Sequence, residues 1–470
     1  MQQIQGRSSQ ICMRTRDLSL TLANRIAYAI SKGKQEQKMG NLDHLVGMQL
    51  SSDTLILAVS AAANNPTHIE LVLLSGSDSI QIVIDNHILQ SISKGIKSLN
   101  LAKLNIELAK KNLAITEIGK GAFEKSDLEC ITIPESVTKI NDRAFAGCSK
   151  LKSVHLPAGI VKIGKRAFAN SSIKSIAIPA GVAKISDRAF ANCPKLTSVT
   201  LPSGITEIGK GAFCGSGIRN IQIPEGVTKI SERAFENCYK LISVTLTPGI
   251  TEIGKEAFRN SCITEIKIPK GITAIRELTF EGCSKLASVI LPEGITEIEK
   301  CAFRGSGIMG IKIPKGVTAI RELTFEGCSK LASVTLPASL TEIGKEAFYN
   351  SGITDIKIPK GVTAIREQTF AYCRRLESIM LHQGITEIGN DAFFSSGIKE
   401  IKIPKGVTVI REWTFAECYK LTSVMLHPGI TEIHTSAFCF LHTWRYSNIE
   451  GRVRQFRIGR SGKILNLYQC

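Results

Sequence analysis

From Ile115 the chain falls into repeats of alternating 22 and 23 residues, and this 45-residue pair recurs seven times up to Gly429. ITEIGKGAFEKSDLECITIPES (115–136) is followed by VTKINDRAFAGCSKLKSVHLPAG (137–159), and a fifteenth repeat opens at Ile430 and loses the pattern after Phe438. Some copies are nearly identical: 270–290 and 315–335 differ only at Ile272/Val317 and Ile290/Thr335. A unit this short cannot enclose a core of its own. It buries its apolar face only by stacking on its neighbours, so the chain must form a quasi-one-dimensional array.

Each repeat position has a physical role. Phenylalanine stands ninth in every repeat, from Phe123 and Phe145 to Phe415 and Phe438, and these account for 15 of the 18 phenylalanines. Stacking therefore predicts one internal aromatic spine. Leu151-Lys152-Ser153-Val154-His155-Leu156 alternates at period two, the pattern of a strand with Val154 and Leu156 inward. Proline closes that strand in 11 repeats, Pro134 to Pro404, because it cannot donate to a ladder. A small residue such as Gly159 permits the turn into a short extended piece, Ile160 to Ile163. The stretch around each Phe, for example Asp142-Arg143-Ala144-Phe145, reads as one helical or 3₁₀ turn.

These residues spell L-x-x-[IV]-x-[LI]-P-x-G-[IV]-T-x-I-x-x-x-A-F-x-x-C, which resembles the BspA-like class of bacterial and protozoan leucine-rich repeats. The resemblance covers 115–439, lacks the Asn ladder of the general leucine-rich repeat, and has the Phe spine instead. The expected fold is an α/β repeat solenoid with a parallel β-sheet on the concave face and short helical or 3₁₀ turns. The resemblance implies an extended protein-binding surface, often on secreted, surface-attached or host-directed proteins, and no catalytic residues. It does not supply a ligand.

The flanks divide into a basic leader or helix (1–39, with a helix over 14–35), an N-terminal cap with a degenerate repeat (40–114) and a basic C-terminal cap or tail (440–470). Ile96 to Leu101 fits the strand template, and Ile69–Leu74 and Ile80–Ile84 read as strands. The net charge is +18, and the tail alone carries six basic side chains against one acidic. The apolar stretch Leu18 to Ile30 is broken by Asn24 and Arg25, which argues against a classical secretory signal. Leu55 to Ala63 is too short to span a bilayer. A cytoplasmic working place follows, in the producer or in a host after non-classical export.

Several chemical signals have plainer explanations. Cys148, Cys193, Cys238, Cys283, Cys328, Cys373 and Cys418 occupy one position of every 23-residue repeat, where the 22-residue repeats place serine. Such cysteines lie two strands apart, roughly 10 Å, whereas a disulfide needs Cα atoms within about 7 Å. Buried free thiols acting as small hydrophobes are expected, and these suit a reducing compartment. Gly204 to Gly211 matches the start of a phosphate-binding loop, but Gly211 stands where Ser or Thr must hold Mg²⁺. No cofactor, metal site or catalytic constellation is expected, and His382 and His427 are only loosely paired.

The outward strand residues form the candidate binding surface. In register along the second half run Lys267, Ile290, Lys312, Thr335, Lys357, Met380, Lys402 and Met425. Four lysines suggest a polyanion stripe. Glu265, Asp355 and Glu400, two residues before three of them, are placed to neutralise it, and the face has no aromatic residue for base stacking. Nucleic acid is therefore disfavoured as a partner. The leading expectation is a monomeric, non-enzymatic scaffold, a candidate host-directed effector, that binds a protein through this face. A surface adhesin exported by a non-classical route, and an effector domain within 1–114 with the repeats as substrate receptor, remain the alternatives.

Overall fold

The structure, a computed structural model, describes backbone and side chains for residues 101–102 and 115–440. It describes backbone alone for 48–50, 55–62, 65–75, 81–84, 98–100, 114, 456–458 and 464–466. Contacts divide the chain into two compact units, Met1–Gly226 and Val227–Cys470. Among the described residues the two units are built of parallel-strand β-solenoid coils, about 14 in all, with almost no helix. Each repeat forms one coil.

In the first unit, Ser98–Asn100, Cys130–Thr132 and Ser153–His155 pair parallel, with Leu99, Ile131 and Val154 in one row. The outer residues of the latter two strands are exposed and the central one is buried, which realises the predicted alternation. Two-residue strands build a second parallel stack, as where Lys139–Ile140 pairs with Lys162–Ile163. Upstream, Asn65–Ser75 pairs antiparallel with Leu55–Ala62 and parallel with Ser98–Asn100, while Gln81–Ile84 pairs parallel with Ala114–Ile118. The second unit repeats both stacks, for instance Glu265–Lys267 with Ser288–Ile290 and Ala274–Ile275 with Glu297–Ile298. The helix expected over 14–35 lies outside the described residues, and of 441–470 only the antiparallel pair Phe456–Ile458 with Ile464–Asn466 is described.

The segment around each Phe departs from the α/β expectation. It is a run of turns, not a helical turn, because two residues four apart adopt left-handed backbone: Arg143 (φ 58°) and Gly147 (φ 73°) in one coil. Those residues reverse alternate peptide planes. The N–H groups of Ala144 and Ala146 bond within the coil, to the carbonyls of Asn141 and Arg143. Those of Arg143, Phe145 and Gly147 instead reach the carbonyls of Lys165, Ala167 and Ala169 in the next coil, at 2.9, 2.7 and 2.7 Å. A helix would direct every N–H along its own axis. Here the corner is a third cross-coil ladder.

That ladder sets the Phe spacing. In the first unit neighbouring rings from Phe123 to Phe213 lie 5.1–5.6 Å apart, within 8° of parallel. In the second, rings from Phe235 to Phe438 lie 5.4–5.8 Å apart. Such ring pairs contribute about 0.5–1.5 kcal/mol each beyond the area they bury. Ile and Val of the strands and Leu before them complete each layer of the core, as Ile320, Leu331 and Val334 do around Phe325.

Two substitutions separate packing from backbone strain. Phe325→Ala is expected to cost about 3–5 kcal/mol, because the adjoining rings cannot close the gap. Gly327 sits at φ +68° with no heavy atom closer than 3.7 Å to a built Cβ. Gly327→Ala should therefore cost only the left-handed penalty, about 1 kcal/mol. Urea unfolding of the full chain measures both, and equal losses would contradict this division.

Candidate binding face

The strand face of the second unit brings together all eight residues singled out from the sequence. Lys267 stands opposite Ile290, Lys312 opposite Thr335, Lys357 opposite Met380 and Lys402 opposite Met425, and every one is exposed. The inward neighbours Ile266, Val289, Ile311, Val334, Ile356, Ile379, Ile401 and Val424 are buried and hold the backbone beneath them. A second outward column alternates Glu265, Gly310, Asp355 and Glu400 with serines.

The charge pairing differs from the sequence expectation. Among the described residues, Lys267, Lys357 and Lys402 form no ion pair with the acid two residues earlier. Lys312, which has Gly310 in that place, is the one that pairs, with Glu293 Oε1 at 3.3 Å. Residues two apart on a strand lie about 6.5 Å apart, and both side chains stand out into solvent. Ile290, Met380 and Met425 stand 57%, 76% and 41% exposed between the lysines.

The cysteine column is buried and polar at once. Cys283 Sγ donates to the carbonyl of Phe258 at 3.1 Å and lies 3.4 Å from Ser261 Oγ. The arrangement recurs at Cys328 and Cys373. Burial pushes the thiols of Cys283, Cys328 and Cys373 up to about 12, with the serine hydrogen bonds opposing it. Thiols so protonated are poor nucleophiles and poor metal ligands. They are also more than small hydrophobes, since each gives a second hydrogen bond to a Phe carbonyl that already accepts the N–H of the serine three residues on.

Other sequence signals resolve as structure. Ile205 and Ile208 of the phosphate-loop look-alike are fully buried, and Glu207–Ile208 is a strand. His382 and His427 replace proline at the strand exit, where Nδ1 accepts the N–H of Gly384 or Gly429 and Nε2 meets a carbonyl of the preceding coil. Among the described residues no cluster of three or more His, Cys, Asp or Glu is arranged to hold a metal ion. In the same set no helix is long and apolar enough to cross a membrane.

The outer corner carries two features missed in the sequence. Arg233 forks onto Glu256 through two 2.9 Å hydrogen bonds, and Arg259 lies 3.4 Å from the same carboxylate. Arg259 also pairs with Glu281, and Arg304 with Glu326, extending the ladder. Further along, Tyr349, Tyr372, Phe394 and Trp413 pack edge to face in succession. The only sequence signal for either feature is residue type at the corner positions of the repeat, which strand periodicity does not sample.

The profile of the BspA type leucine rich repeat region matches residues 116–242, 251–377 and 341–458, and the chain belongs to that family. No curated protein matches it. A crystal structure of a leucine-rich repeat protein from Bacteroides ovatus is 24% identical, covering 80% of this chain and 99% of that one with a TM-score of 0.61. This likeness shows the shared fold. A leucine rich cell surface protein from Faecalibacterium prausnitzii is 29% identical over 66% of this chain and 83% of its own, with a TM-score of 0.35. The pneumococcal vaccine antigen PcpA is 17% identical over 85% and 93%, with a TM-score of 0.39.

Glu256 supplies a pH test. Burial pushes its carboxyl up, but the Arg233 fork, with Arg259 and Lys255, outweighs burial and holds it below the ordinary carboxylate range. Its stabilisation is present above the unfolded-state pKa and lost as pH falls through the depressed folded value. Arg233→Ala should cost about 2–3 kcal/mol at neutral pH, at or just below the low end for a broken buried pair because Arg259 remains. Urea midpoints followed from neutral to acid pH should show the variant losing less stability than the parent, and parallel losses would contradict the assignment.

Proposed function

We propose that the chain is a non-enzymatic scaffold that recognises a protein partner through the strand face of its second unit. One observation carries this reading. Eight exposed side chains alternate lysine with Ile, Thr or Met on backbones that cross-coil pairing fixes in register. Such a face is pre-organised, so binding loses little backbone freedom. Ile290, Met380 and Met425 supply apolar anchors, and the lysines between them select acidic groups on the partner. The face is proposed to be the concave side. In support, the Phe ring centroids of this unit lie 5.4–5.8 Å apart, against about 4.8 Å for paired strands, which fits a shorter strand side.

Protein is preferred to nucleic acid because the column offers no ring for stacking bases. The free cysteines of the array fit a reducing working compartment. The test is capture with the full chain at about 150 and 500 mM salt, beside a variant carrying Lys267→Glu, Lys312→Glu, Lys357→Glu and Lys402→Glu. The expected result is one protein enriched at both salts and weakened at least tenfold, about 1.4 kcal/mol, in the variant. Enrichment of nucleic acid alone, released at the higher salt, would overturn the reading.

A further inference from the structure

The first unit carries a groove of about 450 Å³ on its outer corner, away from the strand face. Its floor is the seventh position of three consecutive repeats, occupied by Arg143, Arg166 and Arg188. All three are left-handed, at φ 58°, 55° and 53°. Glycine holds this position in the coils to either side, at Gly121 (φ 61°) and Gly211 (φ 58°). Left-handed backbone is unfavourable for any residue with a Cβ. The backbone therefore gives no reason for three arginines where glycine is the cheaper choice.

The three guanidinium groups are also uncompensated. Among the described residues, no ion pair or side-chain hydrogen bond engages Arg143, Arg166 or Arg188. Lys120, Lys165 and Lys210 rim the same groove. Its two carboxylates are directed elsewhere: Asp142 Oδ1 accepts the Lys165 N–H at 2.8 Å, and Asp187 accepts the Lys210 N–H at 3.2 Å and pairs with Lys165 Nζ at 3.1 Å. In the second unit the arginine at the same repeat position, Arg233, is locked onto Glu256. The array thus has a way to neutralise this position, and the first unit does not use it.

We propose that this groove is a binding site for a linear oligophosphate chain. The Arg143, Arg166 and Arg188 backbones are fixed by N–H bonds to the next coil at 2.9, 3.0 and 2.8 Å. The Phe ring centroids of the same coils lie 5.1 and 5.5 Å apart, so the three arginine backbones are spaced one coil apart and their guanidinium forks can reach successive oxyanions. Each fork can grip a tetrahedral oxyanion through two parallel N–H bonds, which lysine cannot do. Every residue lining the groove is charged. A sugar or base would find no neutral polar partner and no ring, so a ligand made almost wholly of oxyanions fits best. Gly121 and Gly211 leave both ends of the arginine column without side chains, so a chain longer than three phosphates can pass along it. The site is independent of the strand face and of the protein-binding reading.

Calorimetry with the full chain tests it, using tripolyphosphate, orthophosphate and a sulfated disaccharide in metal-free buffer. Tripolyphosphate should bind one per chain, at least tenfold tighter than orthophosphate, and weaken as salt rises. Arg166→Gly suits the left-handed backbone, so the fold is kept, and it should weaken binding tenfold or more. The triple variant Arg143→Gly, Arg166→Gly, Arg188→Gly should abolish binding, while Arg321→Ala in the second unit leaves it unchanged. Equal affinity for orthophosphate and tripolyphosphate, binding retained in the triple variant, or tighter binding of the sulfated disaccharide would each overturn the proposal.

Discussion

Each coil leaves backbone donors that only the next coil can accept. At the corner, alternate N–H groups point out of their own coil because left-handed residues turn the peptide planes over, and carbonyls of the following coil receive them. Buried backbone groups of this kind must be paired, so register between coils is set to within a residue. Everything else inherits that register: Phe lies on Phe, Ile on Ile, and Ser on Cys.

The same register fits a duplicated unit that is a pair of repeats, although Lys139 stacks on Lys162 in the first unit. Stacking places any charged residue about 5 Å from its counterpart in the next coil, and like charges at that range repel. The sixth position accordingly alternates in sign. In the second unit Lys255 meets Glu277 at 2.7 Å, Lys300 meets Glu322 at 3.1 Å and Lys345 meets Glu367 at 2.9 Å. The Ser–Cys column alternates with the same period, so a single repeat copied alone would set lysine on lysine and thiol on thiol.

Much of this was legible in the sequence and some was not. The Phe spine, the period-two strands with Val154 and Leu156 inward, and the strand at Ser98–Asn100 follow from apolar spacing, which reports burial directly. The corner conformation does not. Glycine would have signalled left-handed backbone, but Arg143, Leu278, Cys301 and Trp413 occupy it, because cross-coil hydrogen bonds outweigh their intrinsic preference. Alternation accounts for the exposure of the eight face residues, but not for the pairing of their lysines. Lys312 reaches Glu293, which precedes it by 19 residues and belongs to the preceding coil. Contacts between coils lie outside any local sequence window, which also concealed the unpaired arginines.

Amide hydrogen exchange on the intact chain tests the central claim most directly. The Phe145 and Gly147 amides donate to Ala167 and Ala169 across coils, so their exchange should require neighbouring coils to separate and should be as slow as that of the buried Val154 strand. Exchange at those two amides as rapid as in an exposed loop would show that the corner ladder does not hold the coils together.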